Sequence, residues 1–120
     1  MAQKRALTKR AQYLAVYKSG IAWADNLIVV KALPNELEFS RYGFSVTKEL
    51  GNAVVRNRVR RLLKEIVRLM PIETGWDIVF IARSRAVTAD YHQLGNSVNR
   101  MLERAHLLRD EYEMVSTGAN

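Results

Sequence analysis

The chain has 120 residues, of which 19 are Lys or Arg and 12 are Asp or Glu, so its formal net charge is +7. The absence of cysteine excludes a disulfide framework and a thiolate nucleophile, and two histidines make an imidazole-based metal site improbable. No apolar run approaches the about 20 residues that span a bilayer, and no secretory signal is recognisable. We therefore expect a cytoplasmic protein without membrane contact, built as one domain over residues 1–120. Residues 1–6 and 110–120 are expected to be flexible.

The predicted elements alternate between helices and strands. In chain order we predict helix Leu7–Lys18, strands Leu27–Leu33 and Tyr42–Thr47, helix Ala53–Met70, strand Asp77–Arg83 and helix Tyr91–Leu107. Asn52 is a good cap for the longest helix and Pro71 ends it. This order predicts an α+β fold, a mixed α/β sandwich in which three helices pack on a small central sheet.

The longest predicted helix carries a row of like charges. Its apolar residues gather on one side at 100° per residue, and the other side is almost entirely cationic. Arg56, Arg60, Lys64 and Arg68 follow one another at i,i+4 spacing, with Glu65 as the only acid between them. Such neighbours repel by about 0.2–0.5 kcal/mol per pair unless anions bind them. The pattern favours polyanion binding, while a solvated face and a membrane-surface helix stay open as alternatives.

The first predicted helix combines basic and aromatic residues. The first twenty residues contain five basic side chains and no acid. Tyr13 and Tyr17 share one helix face, where their rings could stack on unpaired bases while Lys9 and Arg10 bind phosphates. The alternative is that both rings are ordinary core residues.

Four segments of the sequence resemble the bacterial ribonuclease P protein family. The segment from Gly51 to Glu65, GNAVVRNRVRRLLKE, closely resembles the signature of that family, in which an Arg-Asn-Arg core opens a long basic helix. Phe44–Lys48 resembles the strand before the signature, and Asp77–Arg83 resembles the strand after it. Upstream, Tyr13–Gly20 is similar to an aromatic pattern of the family's first helix. The resemblance extends over residues 7–105.

The resemblance implies a function and a fold detail that the residues alone do not. It implies the protein subunit of ribonuclease P, which helps a catalytic RNA remove the 5′ leader of precursor tRNA. It also implies a left-handed strand–helix–strand crossover around the basic helix. The expected partners are one ribonuclease P RNA per protein and precursor tRNA, with no protein partner required.

The resemblance also assigns two sets of RNA-binding residues and no catalytic or metal-binding residue. Mg²⁺ would be bound mainly by the RNA of the holoenzyme. Contact with the catalytic RNA is expected from Lys48, Arg56, Asn57, Arg58, Arg60, Arg61 and Lys64. Contact with the leader is expected from Lys9, Arg10, Tyr13 and Tyr17.

Two departures from the family pattern and three rival functions accompany this interpretation. Glu49 stands where the family usually has a second basic residue after Lys48, and Val29–Lys31 lacks an aromatic residue that family members often place toward the leader. The rivals are a ribosomal type of RNA-binding protein, a DNA-binding regulator and a stand-alone nuclease. No cluster of carboxylates of the kind that two-metal hydrolysis needs is recognisable, which disfavours the nuclease.

Overall fold

A computed structural model describes residues 4–109, which form one five-stranded sheet with three α-helices. Residues 1–3 and 110–120 lie outside the described part, including most of the segments expected to be flexible. No helix within residues 4–109 is both long and apolar enough to cross a membrane. The strands are β1 Lys4–Ala6, β2 Ile21–Ala24, β3 Ile28–Pro34, β4 Ser40–Ser45 and β5 Trp76–Ala82. The helices are α1 Arg10–Ser19, α2 Ala53–Arg68 and α3 Tyr91–Arg104, and short 3₁₀ turns cover Lys48–Leu50 and Ser84–Thr88.

The sheet is mixed, in the order β1-β4-β5-β3-β2. β4 pairs in parallel with β1 and β5, whereas β3 pairs antiparallel with β5 and β2. The chain runs from β4 through α2 to the adjacent parallel strand β5, so α2 forms the crossover that the sequence predicts. Its left-handed sense stays a prediction from the resemblance.

The helices cover both faces of the sheet, which confirms the predicted α+β class. The larger core lies between α2, α3 and one face of the sheet, and Phe80 at its centre is fully buried. A smaller core lies on the other face, where Val16 of α1 packs with Val79 of β5 and Leu7. Residues of β3 and β5 therefore alternate between the two cores.

The sequence did not reveal two of the five strands. β1 has three exposed residues, and three of the four residues of β2 are also exposed, so neither shows the alternating burial that predicts a strand. The first helix begins at Arg10 rather than Leu7, because the Leu7 amide donates to the Tyr42 carbonyl at 2.9 Å and continues the β1–β4 pairing. The expectation of flexibility over residues 1–6 thus includes three residues that lie in a strand.

Side chains close both ends of α2. The Asn52 carboxamide oxygen accepts from the Val55 amide at 3.1 Å, as the sequence predicts for the start of α2. At the other end of α2, Lys4 Nζ donates to the Val67 and Arg68 carbonyls at 2.9 and 2.8 Å. A cation at a helix C-terminus is favourable because the last carbonyls have no partner within the helix. β1 therefore fastens the end of the basic helix.

A buried ion pair joins the two parallel strands. Asp77 of β5 is 5% exposed and receives both Nε and Nη2 of Arg41 at 2.8 and 2.7 Å. The Asn35 side chain donates to the same carboxylate at 2.9 Å. Paired hydrogen bonds of this kind compensate for the burial of the charge. The Asp77 carboxylate therefore serves to stabilise the fold.

Candidate nucleic-acid interface

The solvent side of α2 forms a continuous cationic surface, which we call the α2 face. Its members lie within four turns of one helix and together line a shallow groove: Asn57, Arg60, Arg61, Lys64 and Arg68. The apolar side of the same helix is buried through Val59, Leu63, Ile66 and Val67. Because the core uses one side only, the charged side is left to solvent or to a ligand.

Few of the charges on the α2 face are neutralised by the protein itself. Arg68 pairs with Glu65 at 2.5 Å, and this hydrogen bond raises the pKa of the Arg68 guanidinium. Arg60 donates to the Asn57 side-chain oxygen at 3.0 Å, which orients the guanidinium without neutralising it. Arg61 and Lys64 are exposed and make no hydrogen bond or ion pair within residues 4–109.

Arg56 and Arg58 are placed differently from the rest of the predicted set. Arg58 is half-buried, and its two terminal nitrogens donate to the carbonyls of Val87 and Ala89 at 3.3 and 3.2 Å. Arg56 donates through Nε to the Gly51 carbonyl at 3.2 Å. Lys48 is exposed on the turn before α2. The structure thus groups Asn57, Arg60, Arg61 and Lys64 and turns Arg58 toward the Ser84–Thr88 turn.

The two predicted tyrosines lie together on the other face of the sheet, and we call this place the α1 cleft. The Tyr13 and Tyr17 rings are 6.4 Å apart and inclined by 47°, and both pack against the smaller core. Tyr13 lies flat enough over β4 that a Cβ atom at Gly43 would come within 2.5 Å of its Cε1. Each ring packs on the core and stays partly accessible, so the packing interpretation holds in part, and stacking on unpaired bases stays a prediction.

The Tyr13 side chain is partly buried, and its surroundings shift its pKa. Burial raises the pKa of Tyr13 above its ordinary value, against the opposing influence of the Phe44 backbone amide and of the Arg60 charge. The hydroxyl donates to the Leu7 carbonyl at 3.4 Å, where β1 stops pairing with β4. The α1 cleft and the α2 face lie on opposite sides of the sheet, because Tyr13 packs on the smaller core and α2 packs on the larger one.

Lys31 is a cleft residue that was not predicted. The register pairs it with Val79 of the α1-side core, so its side chain faces α1. Its Nζ donates to the Tyr17 carbonyl at 3.3 Å and lies 5.7 Å from the centre of the Tyr17 ring. The sequence signal was the alternation of Val29, Lys31 and Leu33 along β3, but only the position of α1 shows which face is the cleft.

Lys9 and Arg10 stand at the start of α1 and are both exposed. The Gln12 side chain accepts from the Thr8 and Lys9 amides at 2.9 and 3.0 Å, which fixes the backbone of this first turn. The charges of Lys9 and Arg10 lie about one turn before Tyr13 on the chain, beside the α1 cleft.

A mixed sheet that carries one cationic helix face and one aromatic cleft defines a small basic protein of the nucleic-acid-binding class. A family model described as Ribonuclease P matches residues 1–106. The ribonuclease P protein component of Dehalococcoides mccartyi is 42% identical over 120 residues and covers both chains completely. That of a Thermoanaerobacter species is 44% identical over 84% of this chain and 89% of its own.

Solved structures agree with the sequence comparison. The Staphylococcus aureus RNase P protein has a TM-score of 0.78 and 34% identity, covering 91% of this chain and 100% of its own. The Thermotoga maritima RNase P protein has a TM-score of 0.77 and 28% identity, covering 83% of this chain and 96% of its own. The chain belongs to the ribonuclease P protein family. As a member it is the RNA-binding protein subunit of ribonuclease P, the endoribonuclease that removes tRNA 5′ leaders, in which the RNA subunit carries catalysis.

Proposed function

We propose that the α2 face binds the ribonuclease P RNA, while the α1 cleft holds the 5′ leader of precursor tRNA. The observation that carries this division is the position of the two surfaces on opposite sides of the sheet, since α2 packs on the larger core and the tyrosine pair packs on the smaller one. A protein that lies between catalytic RNA and substrate needs two surfaces that can be occupied together. One copy of the protein per RNA is sufficient for this arrangement.

The α2 face suits structured RNA because it offers several cations in fixed positions. Arg60, Arg61 and Lys64 project from a helix that is closed at both ends, so binding needs no ordering of the backbone and only the side chains must be fixed. Arginine can fork onto a phosphate or stack on an unpaired base, which lysine does less well. Lys48, Arg56 and Asn57 extend the same contact toward the first turn of α2.

The α1 cleft suits a single strand of variable sequence. A base that stacks on an aromatic ring contributes about 1–3 kcal/mol whatever its identity, and leaders differ between tRNAs. Tyr13 and Tyr17 offer partly accessible rings, and Lys9, Arg10 and Lys31 supply cations around them. We infer that Lys31 replaces, as a phosphate contact, the aromatic residue that the family often has on this strand.

Bond cleavage does not need a metal site in the protein. Within residues 4–109 no three His, Asp or Glu side chains lie close enough together to hold a metal ion. We propose that the Mg²⁺ ions of the holoenzyme are bound mainly by the RNA and that the protein's charge lowers the Mg²⁺ concentration required. Because precursor tRNAs are made in the bacterial cytoplasm, we expect the protein to act there.

The test is cleavage of a precursor tRNA by a bacterial ribonuclease P RNA at low Mg²⁺, with and without the protein. We expect strong activation by the wild-type protein and loss of activation in an Arg60→Ala, Arg61→Ala, Lys64→Ala variant, called the α2-face variant below. Binding of precursor tRNA should improve far more than binding of mature tRNA, because mature tRNA lacks the leader.

A double variant on unrelated surfaces serves as the control. Lys18→Ala with Arg104→Ala removes two exposed charges from the ends of α1 and α3 and should still activate cleavage. Equal improvement of precursor and mature tRNA binding would refute the leader assignment of the α1 cleft. Binding of the RNA without any activation of cleavage would leave a generic RNA-binding role in its place.

A further inference from the structure

A second cationic cleft lies between the Ser84–Thr88 turn and α3, and we call it the α3 cleft. It has a volume of about 500 Å³ and lies outside both surfaces described above. Its polar lining combines two arginines with side-chain amides and a hydroxyl: Arg85, Thr88, Gln93, Asn96 and Arg100. No acidic residue lines it. Such a lining offers many hydrogen-bond donors and a positive charge that no acid of the lining balances.

Arg100 is held in place by Asp25, a partly buried acid behind the cleft. Its Nη2 lies 3.3 Å from the Asp25 carboxylate, while its side chain stays 61% exposed. Asp25 also accepts from the Ser97 hydroxyl and from the Leu27 and Ile28 amides. A guanidinium has five N–H donors, so four remain for a ligand after this contact. Asp25 thus orients Arg100 toward the cleft without using up its donors.

Arg85 on the opposite wall has no partner within residues 4–109. Its side chain is exposed and makes no hydrogen bond or ion pair with the described residues. The Thr88 hydroxyl does not bind the Arg85 guanidinium. It donates instead to the Arg85 backbone carbonyl at 3.5 Å. Two guanidinium groups, one from the Ser84–Thr88 turn and one from α3, therefore line one polar cavity.

Arg58 joins the α3 cleft to the basic helix. Its two donations to the Val87 and Ala89 carbonyls fasten the wall that carries Arg85 to the second turn of α2. The Lys48–Leu50 turn also contacts the Ser84–Thr88 turn. The turn that carries Lys48, the start of α2 and the wall that carries Arg85 are therefore in direct contact, with the acids Glu49 and Asp90 exposed at the borders of this region.

We propose that the α3 cleft is a second binding site for the ribonuclease P RNA, in which Arg85 and Arg100 bind backbone phosphates and Arg58 positions the wall that carries Arg85. This inference rests on the proposed function for its partner. The Gln93 and Asn96 amides can both donate and accept, so they suit ribose hydroxyls or base edges beside the phosphates. An RNA chain is favoured over a protein partner because the cleft is polar, lacks acids and adjoins the helix whose exposed side already suits phosphates.

The experiment measures the Kd of the full chain for ribonuclease P RNA, without tRNA, over a range of salt concentrations. An Arg85→Ala, Arg100→Ala variant should bind at least about tenfold more weakly. The slope of log K against log salt should become shallower by about 1.4 to 1.8, since each phosphate contact contributes about 0.7 to 0.9. The Lys18→Ala, Arg104→Ala variant loses the same charge elsewhere and should keep the slope of the wild type.

Arg58→Lys tests the positioning role, because lysine keeps the charge but cannot hold both carbonyls with a planar fork. It should weaken RNA binding, and its effect should largely disappear when Arg85 and Arg100 are already alanine. Full additivity would show a direct contact of Arg58 with RNA and overturn its positioning role. Thermal unfolding of each variant identifies any loss that comes from misfolding, and Arg58→Gln then provides a second replacement.

Two failures can be told apart. If the α3-cleft variant behaves like the control while the α2-face variant binds weakly, the second site is refuted and the proposed function stands. If the α2-face variant also binds normally, the proposed function itself fails. Unchanged RNA affinity together with loss of cleavage activity would assign the cleft to another partner and also overturn the inference.

Discussion

The α2 face and the α1 cleft, the two surfaces proposed to bind RNA, are built in opposite ways. On the α2 face the functional side chains project away from the core, and Arg61 and Lys64 have no partner within the described residues. In the α1 cleft the functional rings are also packing residues, since Tyr13 and Tyr17 rest on Val16 and Val79. Side chains of the α2 face can therefore be replaced without loss of core packing, whereas replacing the tyrosines of the α1 cleft also removes packing contacts.

This difference follows from the ligands that each surface suits. Phosphates need positive charge, which is expensive to bury and therefore belongs on an exposed helix side. Unpaired bases need a flat apolar surface, and an aromatic ring remains in a fixed position only if part of it is packed. The comparison predicts two kinds of outcome. Substitutions on the α2 face should lower RNA affinity alone, and substitutions in the α1 cleft should lower both RNA affinity and the stability of the fold.

The largest expected effect is on RNA affinity in the α2-face variant. Three charge-assisted contacts of about 1.5 kcal/mol each add to about 4.5 kcal/mol, which would weaken binding of ribonuclease P RNA by on the order of 1,000-fold. The free energy of unfolding should change by less than about 0.5 kcal/mol, because exposed like charges are removed. RNA titration and urea unfolding measure the two quantities. A large loss of stability would remove the distinction between the two surfaces.

Gly43→Ala should produce the combined effect in the α1 cleft. The new Cβ would lie 2.5 Å from Tyr13 Cε1 and 2.7 Å from its hydroxyl oxygen, so the ring must move off β4. We expect a loss of about 1–3 kcal/mol in the free energy of unfolding. Preference for precursor over mature tRNA should fall, while affinity for ribonuclease P RNA alone should change little.

Gly95→Ala is the matched control for that substitution. Gly95 lies inside α3, and a Cβ there would meet no atom within 4 Å. The change should stabilise the protein by up to about 1 kcal/mol because alanine favours the helix. If Gly43→Ala behaves in the same way as Gly95→Ala, Tyr13 does not rest on β4 in solution.

The tyrosines of the two faces should also differ in their effect on stability at high pH. Burial beneath the α2 side raises the pKa of Tyr42 to about 12, partly opposed by its hydrogen bond with Ser40. Because the folded pKa is raised, this stability is fully present below about pH 10 and is lost as the pH rises through about 12. We expect a loss of about 1–2 kcal/mol that is absent in Tyr42→Phe, measured by urea unfolding at several pH values.

Tyr13 provides the comparison within the same titration. Its pKa is also raised by burial, but the ring is only partly covered. Tyr13→Phe should therefore remove less of the high-pH destabilisation than Tyr42→Phe does. An equal or larger effect of Tyr13→Phe would mean that the α1 cleft is more closed than the contacts of Tyr13 indicate.

The smallest expected effect is that of Lys31→Met. Methionine preserves the length and packing of the stem but removes the charge beside Tyr17. We expect precursor tRNA to bind about twofold to fivefold more weakly, which is under about 1 kcal/mol, with no change for mature tRNA. Lys31→Tyr should recover or exceed the original leader affinity if an aromatic ring serves the same place. Unchanged precursor binding in Lys31→Met would exclude Lys31 from the leader contact.

Local patterns in the sequence predicted the elements with strong periodicity. The apolar stripe of α2, its Asn52 cap and the alternation in β3 arise from interactions between residues a few positions apart, so they can be recognised without a fold. The weak strands β1 and β2 could not be recognised in this way. β1 pairs with residues 36 positions away in sequence and β2 with residues 5 to 11 positions away, and the side chains of both strands are mostly exposed.

The sequence by itself determined the α+β class, the cationic side of α2 and the signature that places the chain in its family. Only the tertiary structure decided which charges are available, because availability depends on partners that are distant in sequence. It turned Arg58 toward Val87 and Ala89, brought Lys31 beside Tyr17 and placed the tyrosine pair on the side of the sheet opposite α2. It also brought Arg85 and Arg100 to one cleft although they lie on different elements. Charge follows from composition, but the geometry that lets charges act together follows from packing.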